Sequence, residues 1–403
     1  ALYATSGRSE ASAMSYRLSD EEAAVQRTVR DFAQRELAPL VAAAEASGRF
    51  PREAILPRLA ELGLLSIGVP ESLGGSGGGA LLLCVVGEEI ARVSGGFAIG
   101  AMASVLAPAI LVRLQGESPN RALLEPLMAG QILPALAFTE PRGGSDLAGM
   151  LTTATKTEGG VLLSGQKTFI SNGPTADAFL VAAVRADHAD KPREERVQGI
   201  GVHVILKGTP GLSVGAPMKK LGMRSSETSE VFFDDAFAPA GGLGGGSGAG
   251  RGFRQMMELL DVNRLFISAL SLGVAQAAFE ASLSYAKERT AFGKPIAQHQ
   301  ATGFKLARMA TTLDAARALL QRTSELVDQG ARAARQVSEA KLFCTEAAVA
   351  ITSDAVQIHG AYGYVEDLPV ERYFRDARVG PIWEGTNEIQ QQIICRELGL
   401  YGE

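Results

Sequence analysis

Residues 381–390 read Pro-Ile-Trp-Glu-Gly-Thr-Asn-Glu-Ile-Gln. One carboxylate, Glu384, stands directly before a Gly-Thr turn, flanked by apolar Ile382 and the single tryptophan of the chain, Trp383. A helical run is expected to begin at Glu388. A carboxylate held against an aromatic ring at the end of a loop is poorly solvated, so its pKa rises toward the value a general base needs near neutral pH. Taken alone, an isolated Glu-Gly-Thr is far more often a surface turn with an ordinary glutamate. What surrounds it along the chain decides between the two.

The sequence before this segment is helical back to about Phe253. One helix is expected from Phe253 to Arg289. A second carries Leu306, Met309, Leu313, Ala316, Leu320, Thr323 and Val327 at three- and four-residue steps, and a third carries Val337, Ala340, Cys344, Ala347, Ile351 and Ile358. Such stripes bury against one another or across a subunit interface. They predict a C-terminal helical bundle over 253–403. The glycine-rich stretch 241–252 precedes it. Gly244, Gly246 and Ala249 give only a loose dinucleotide spacing, without a tight βαβ context or an acidic residue about 20 positions on. It reads as a linker.

From 132 to 240 the signals are short β runs broken by turns. Residues 151–157 and 161–167 form a hairpin through Glu-Gly-Gly. Residues 178–184, 201–206 and 230–233 also read as strands, and 185–196 as a charged loop. A small β barrel or sandwich is expected. Residues 17–131 read as a helical domain. Ser19 and Glu22 have capping-box spacing, followed by Val25, Val29 and Phe32 on one face. A helix is expected from about Arg52 to Leu62, stopped by Gly63. A flexible turn follows at 74–79, then an apolar helical region from Leu81 to Leu114 and a shorter helix ending near Met128. Residues 1–16 read as a disordered tail or extension, with Met14 a candidate start and a transit peptide the weaker option. The fold class is α+β.

Composition narrows the function classes. The 403 residues are 46% hydrophobic and 21% charged, which fits a packed globular protein. A net charge of −5 gives no electrostatic case for nucleic acid or an anionic membrane. Cys84, Cys344 and Cys395 lie far apart, which argues against a zinc site or disulfide framework and fits a reducing compartment. His188, His203, His299 and His359 show no metal-ligand spacing. No apolar run is read as long enough to span a membrane.

Four further stretches carry chemistry. Leu-Ala-Phe-Thr-Glu-Pro-Arg-Gly-Gly-Ser-Asp (136–146) ends a strand in a turn of small and hydroxyl residues, where backbone can approach a planar ligand. Gly-Gln-Lys-Thr-Phe-Ile-Ser-Asn-Gly spans 165–173. Glu-Leu-Leu-Asp-Val-Asn-Arg-Leu (258–265) places Asp261 and Arg264 on one helical face. Lys-Glu-Arg-Thr-Ala-Phe-Gly-Lys (287–294) with Ala-Gln-His-Gln (297–300), together with Gln-Ile-His-Gly-Ala-Tyr-Gly-Tyr (357–364), leads back to 381–390. In this order the stretches resemble the acyl-CoA dehydrogenases over roughly residues 17–400. Residues 60–70 and 371–378 match as fold signatures.

The resemblance implies a helical domain, a middle β barrel and a C-terminal four-helix bundle that bind FAD and an acyl-CoA. Phe138, Thr139 and Ser145 would line the pyrimidine and N5 side of the flavin, Ser145 also touching the thioester. Phe169, Ile170 and Ser171 would lie against the isoalloxazine, with Thr386 and Glu388 as further cofactor contacts. Asp261, Arg264 and Gly385 would bind substrate, with Ile99 and Met102 at the deep end of a pocket for short, medium or branched acyl chains. Arg289 would meet the pyrophosphate of the neighbouring subunit's FAD, with Phe292, Gln300, Gln357, Ile358 and Gly360 completing the contacts across the interface. His359 would be a packing or hydrogen-bonding residue. No metal is implied.

Three departures matter. Arg142 stands where a small residue is common, and Phe169 where tryptophan is frequent. Asn263 stands where isovaleryl- and long-chain members place their base, so the base falls on Glu384. The implied reaction is α,β-dehydrogenation to a trans-2-enoyl-CoA. Glu384 takes the α-proton while the β-hydrogen leaves as hydride to flavin N5, and the backbone N–H of the base and the flavin ribityl 2′-hydroxyl polarise the thioester carbonyl. The resemblance further implies electron-transferring flavoprotein as acceptor and a homotetramer built as a dimer of dimers. It implies the bacterial cytoplasm, or the mitochondrial matrix in a eukaryote. The alternatives are an acyl-CoA oxidase using oxygen, a nitroalkane oxidase, which would need an Asp base, and a non-catalytic nucleic-acid-binding relative.

Overall fold

The computed structural model describes residues 18–115, 120–240 and 251–401. The expected N-terminal tail and residues 241–250 of the expected linker lie outside them. Helices open the chain: α1 (Asp20–Phe32), α2 (Val41–Ser47), α3 (Arg52–Glu61), α4 (Ala80–Val93), α5 (Gly95–Gln115) and α6 (Arg121–Met128). Ser19 caps α1 reciprocally. Its hydroxyl accepts from the Glu22 N–H at 3.2 Å, and the Glu22 carboxylate accepts from the Ser19 N–H at 2.7 Å. The apolar region expected as one helix from Leu81 to Leu114 is two. It breaks at Ser94, whose extended backbone (φ −155°) still closes α4, while its hydroxyl accepts from the Phe97 N–H at 3.2 Å.

The glycines at 74–79 are not a free turn. Gly77 exchanges backbone hydrogen bonds with Gly68 and Val69 at 2.7 and 3.0 Å, and a Cβ at Gly75 would lie 2.0 Å from the Val69 oxygen. Only glycine permits that approach.

The middle region holds β1 (Pro134–Ala137), β2 (Thr153–Thr157), β3 (Gly160–Ser171), β4 (Ala178–Arg185), β5 (Ile200–Leu206), β6 (Leu212–Val214) and β7 (Thr228–Pro239), with a short helix α7 (Arg193–Arg196) inside the charged loop. They form one curled seven-stranded sheet. The β2–β3 hairpin continues to β7 and β6, and β4 pairs with β5 on one edge and with β1 and β2 on the other. Strand periodicity explains why β4 is apolar from Ala178 to Val184. Phe179, Val181 and Ala183 enter the core of the sheet, while Leu180, Ala182 and Val184 face the helical core.

The bundle contains α8 (Arg251–Glu288), a small β8–β9 ribbon (Thr290–Ala291, Lys294–Pro295), α9 (Gln300–Asp328), α10 (Ala334–His359), α11 (Val370–Ala377) and α12 (Asn387–Glu397). Arg251 and Gly252, expected in the linker, form the first turn of α8. A Cβ at Gly252 would lie 2.2 Å from the Ile200 oxygen, so the helix starts in contact with β5. At 38 residues α8 runs about 57 Å and is the spine of the molecule. The helix α4 approaches it closely: a Cβ at Gly273 would lie 2.2 Å from the Glu88 oxygen.

Two helices, Gly95–Arg113 and Gly252–Glu288, are long and apolar enough to cross a membrane, contrary to the sequence expectation. Their apolar windows are 89% and 78% buried inside the protein, which is what core helices look like. Among the described residues no cluster could hold a metal ion, and the three cysteines are free.

Carboxylates stitch the regions together. Asp328, at the end of α9, accepts from the N–H groups of Ala80 and Leu81 and so caps α4 from a distant part of the chain. Asp376 on α11, almost fully buried, accepts from the Met223 N–H between β6 and β7, and burial pushes its pKa up to about 7. Two residues on, the Ser225 N–H donates to Glu45 of α2 at 3.1 Å.

Candidate active site

Glu384 lies in the turn between α11 and α12. The N–H groups of Ile382 and Trp383 both donate to Val379, and that of Asn387 donates to Pro381. Thr386 caps α12, its hydroxyl accepting from the Ile389 N–H at 3.4 Å, so the helix begins at Asn387, one residue before the expectation. Between these fixed ends Glu384 and Gly385 are both left-handed, with φ of +52° and +83°. For a glutamate this costs about 1–3 kcal/mol and persists only where the surroundings over-determine it. Here they do. The Glu384 carbonyl accepts from Arg264 Nε at 3.2 Å and Gln390 Nε2 at 3.4 Å. The Gly385 carbonyl accepts from Gln390 Nε2 and Lys341 Nζ, both at 2.9 Å. Among the described residues the Glu384 N–H has no partner.

Burial pushes the Glu384 carboxyl above the ordinary carboxylate range. Three groups oppose it: the Asn263 amide, whose Nδ2 lies 3.4 Å from Oε2, and the charges of Arg264 and Lys341. Protein surrounds the carboxyl on the scale that sets its hydration, yet the residue keeps a partly open face. Arg264, nearly buried, also holds Asp261 at 2.7 Å, as their spacing on α8 predicts. Burial raises the Asp261 pKa, against the charge of Arg264.

A second group of expected residues follows β1. Thr139 is partly exposed and Ser145 exposed. Sequence reasoning missed what fixes this turn. Glu140 and Lys167 form a buried ion pair at 2.8 Å; Glu140 also accepts from the N–H groups of Leu151 and Thr152, and Lys167 also reaches the Phe138 oxygen at 3.1 Å. Burial would raise the Glu140 pKa, but the Lys167 ammonium and the donors hold it below the usual range. The available signal was Lys167 sitting on the inward parity of β3, in step with Leu163. Where β3 shifts register between Lys167 and Ile170, Phe169 adopts φ +57° and turns its ring outward, 68% exposed. Ile170 is buried in the sheet core and Phe138 in the main core, so their side chains back this surface rather than face it. Ile99 and Met102 are buried on α5 in the main core.

The third group gathers at the far end of the bundle. Arg289 is exposed just beyond α8, its guanidinium 5.7 Å from the Tyr362 ring. Phe292 is 96% exposed with φ +52°. Gln300 begins α9, and Gln357 lies in the last turn of α10, both exposed. Gly360 is left-handed, and Ile358 is buried in the main core. His359 stacks on Tyr285 at 4.3 Å and donates from Nδ1 to the Ala355 oxygen, 2.8 Å away. Lys341, beneath the Glu384 turn, and Gln357 are sixteen residues apart on α10, about 24 Å along its axis. Glu384, Gly385, Asp261 and Arg264 thus come together, while the far-end residues form a separate surface. Thr386 and the exposed Glu388 adjoin the turn.

The donor set suits a flavin. An outward ring at Phe169, beside open hydroxyls at Thr139, Ser145 and Ser171, can accept a planar heterocycle with polar edges. An exposed guanidinium at Arg289 can accept phosphate.

Comparison with known proteins agrees with this arrangement. Residues 19–131, 135–236 and 250–399 match the family models for the acyl-CoA dehydrogenase N-terminal, middle and C-terminal domains. An acyl-CoA dehydrogenase of Bacillus subtilis is 40% identical over 94% of this chain and 98% of its own length. The caffeyl-CoA reductase-Etf complex subunit CarC of Acetobacterium woodii is 37% identical over 93% of this chain and 97% of its own. The structure of butyryl-CoA dehydrogenase from Megasphaera elsdenii superposes with a TM-score of 0.89 at 34% identity, covering 96% of this chain and all of that one. By its three domains in order and its likeness to relatives over nearly its whole length, the chain belongs to the acyl-CoA dehydrogenase family.

Proposed function

We propose that Glu384 is the general base with which this FAD-dependent acyl-CoA dehydrogenase draws the α-proton from an acyl-CoA thioester, giving the trans-2-enoyl-CoA. The observation that carries this is the strained turn: a desolvated carboxylate whose own backbone is fixed by donors from α8, α10 and α12. Burial makes the carboxylate a stronger base than a surface glutamate, and the charge of Arg264 favours its ionised form. Asn263 donates to it and cannot compete for the proton. The free N–H of Glu384 is available to donate to the thioester carbonyl, which makes the α-proton more acidic. Bound FAD supplies the acceptor for the β-hydrogen as hydride.

Thr139, Ser145, Phe169 and Ser171 would hold the flavin, with Thr386 and Glu388 beside the turn and Phe138 and Ile170 behind it. Asp261, Arg264 and Gly385 would position the substrate, and Ile99 and Met102 would close the acyl pocket. Arg289, Phe292, Gln300, Gln357 and Gly360, backed by Ile358, would grip the FAD of a neighbouring subunit in a homotetramer. Electrons would leave to an electron-transferring flavoprotein; the Acetobacterium woodii relative is itself named as a subunit of an Etf complex. The free cysteines fit a reducing compartment, the bacterial cytoplasm or the mitochondrial matrix.

Anaerobic mixing of the holoenzyme with a panel of short, medium and branched acyl-CoAs tests the reading. At least one thioester should bleach the flavin absorbance, and reoxidation should be fast with electron-transferring flavoprotein and slow with oxygen. No bleaching by any thioester sinks the dehydrogenase reading; fast reoxidation by oxygen makes the protein an oxidase.

A further inference from the structure

We propose that Lys341 is a positioning residue for the base. From inside the bundle it holds the strained Glu384–Gly385 turn in shape and adds positive charge that favours the ionised form of Glu384. This rests on Glu384 being the base.

Lys341 is fully buried on α10, on the same stripe as Val337 and Ala348. Its ammonium lies 2.9 Å from the Gly385 oxygen and 2.9 Å from Asn387 Oδ1. Thr345 donates to the same Asn387 oxygen at 3.2 Å, and the Asn387 amide nitrogen lies 3.4 Å from Glu346, which fixes the amide orientation. Both acceptors are therefore neutral oxygens, one of them in the residue that follows the base.

The contrast with Lys167 is informative. Lys167 is equally buried and has the Glu140 carboxylate at 2.8 Å. Among the described residues no carboxylate pairs directly with Lys341. An ammonium taken out of water with no counter-ion in contact is a poor way to stabilise a helix stripe, and an apolar side chain of similar volume would do that better. Burial lowers its pKa to about 8, so it remains mostly charged at neutral pH. The charged groups that face it are Glu384 in the turn, Arg264 on α8, Glu388 on α12 and Glu346 on its own helix. Glu384 is the strongest of these influences. The field acts in both directions: Lys341 favours the Glu384 carboxylate, which burial disfavours.

A positive charge lowers the pH at which Glu384 loses its proton, so removing the charge raises it. Two variants of the holoenzyme separate charge from packing. Lys341→Met removes the charge and both hydrogen bonds; Lys341→Gln removes the charge but keeps a neutral donor on a side chain one bond shorter. Each is followed by the pH dependence of flavin reduction with the preferred acyl-CoA and by an infrared titration of the carboxyl band. In both variants the acid limb should move to higher pH. Above that limb Lys341→Met should lose maximal rate more than affinity, and Lys341→Gln should lose less. If Lys341→Met does not fold, Lys341→Gln decides. An FAD-loaded Lys341→Gln whose acid limb and carboxyl titration stay at wild-type positions overturns the proposal. A parallel Glu384→Gln variant keeps the two readings apart. If that variant still reduces its flavin with an unchanged acid limb, the base assignment fails and the role of Lys341 fails with it. If its activity is lost while the Lys341 variants titrate normally, only the Lys341 proposal fails.

Discussion

The turn at 381–390 and the far end of the bundle, residues 289–300 with 357–364, use similar groups to opposite ends. In the turn, both left-handed residues have donors on their carbonyls, and the cations that supply them are buried. At the far end, Arg289 has the face of Tyr362 beside it, Phe292 stands 96% exposed, and Tyr364 is 86% exposed. Each region contains left-handed non-glycine or glycine positions, so each stores backbone strain. In the first the surrounding helices hold that strain. In the second the described residues leave much of the surface open, as a ligand-facing or subunit-facing surface would be.

The comparison breaks first at Glu384. Glu384→Gln keeps the shape of the turn and its free N–H but cannot accept the α-proton. Flavin reduction should fall by about 10²–10⁴-fold or more, with FAD still bound and acyl-CoA affinity retained. A rate near wild type in stopped-flow bleaching would mean that the pinned turn is architecture rather than catalysis.

Arg289→Ala probes the other region. Losing a charge-assisted phosphate contact should weaken FAD binding by about tenfold to a hundredfold, while the Glu384 titration stays in place. Fluorescence titration of the apoprotein with FAD measures it. Unchanged FAD affinity, or full occupancy in a dilute monomeric fraction, would dissolve the contrast, because the grip would then lie within one chain.

The smallest effect concerns Met102, proposed to close the acyl pocket. Met102→Gly should move chain-length preference toward longer acyl groups by a few-fold per added methylene, at about 0.8 kcal/mol each. The ratio of kcat/KM values across a straight-chain series reads it out. A well-folded variant with an unchanged profile would return Met102 to plain core packing.

Much of this was legible before the fold was seen, and for definite reasons. Asp261 and Arg264 pair because three residues on a helix share a face, and β4 is apolar because both its faces are covered. The order of helices, sheet and bundle follows from periodicity alone. What escaped reading depends on contacts between distant segments. Lys167 and Lys341 sit on apolar stripes, and the stripe alone does not reveal that Glu140 or the Gly385 carbonyl waits opposite. The glycines at 74–79 look like freedom in sequence and are close approach in space. Ser94 breaks a long apolar run because its side chain can serve the next helix, a competition that hydropathy does not register.

The carboxylates of Asp328 and Asp376 bear on how such a protein can be inherited and rebuilt. The first turn of α4 is completed by an acid some 250 positions later in the chain, and the turn before β7 by an acid on α11. Boundaries that look like seams in the sequence are therefore not seams in the energetics. A chimaera that joined the opening helices of this chain to the bundle of a relative would need the matching acid on the incoming side, or it would strand buried amide groups on both sides of the join. Successful recombination within the family should accordingly transfer acid and amide partner as one heritable unit.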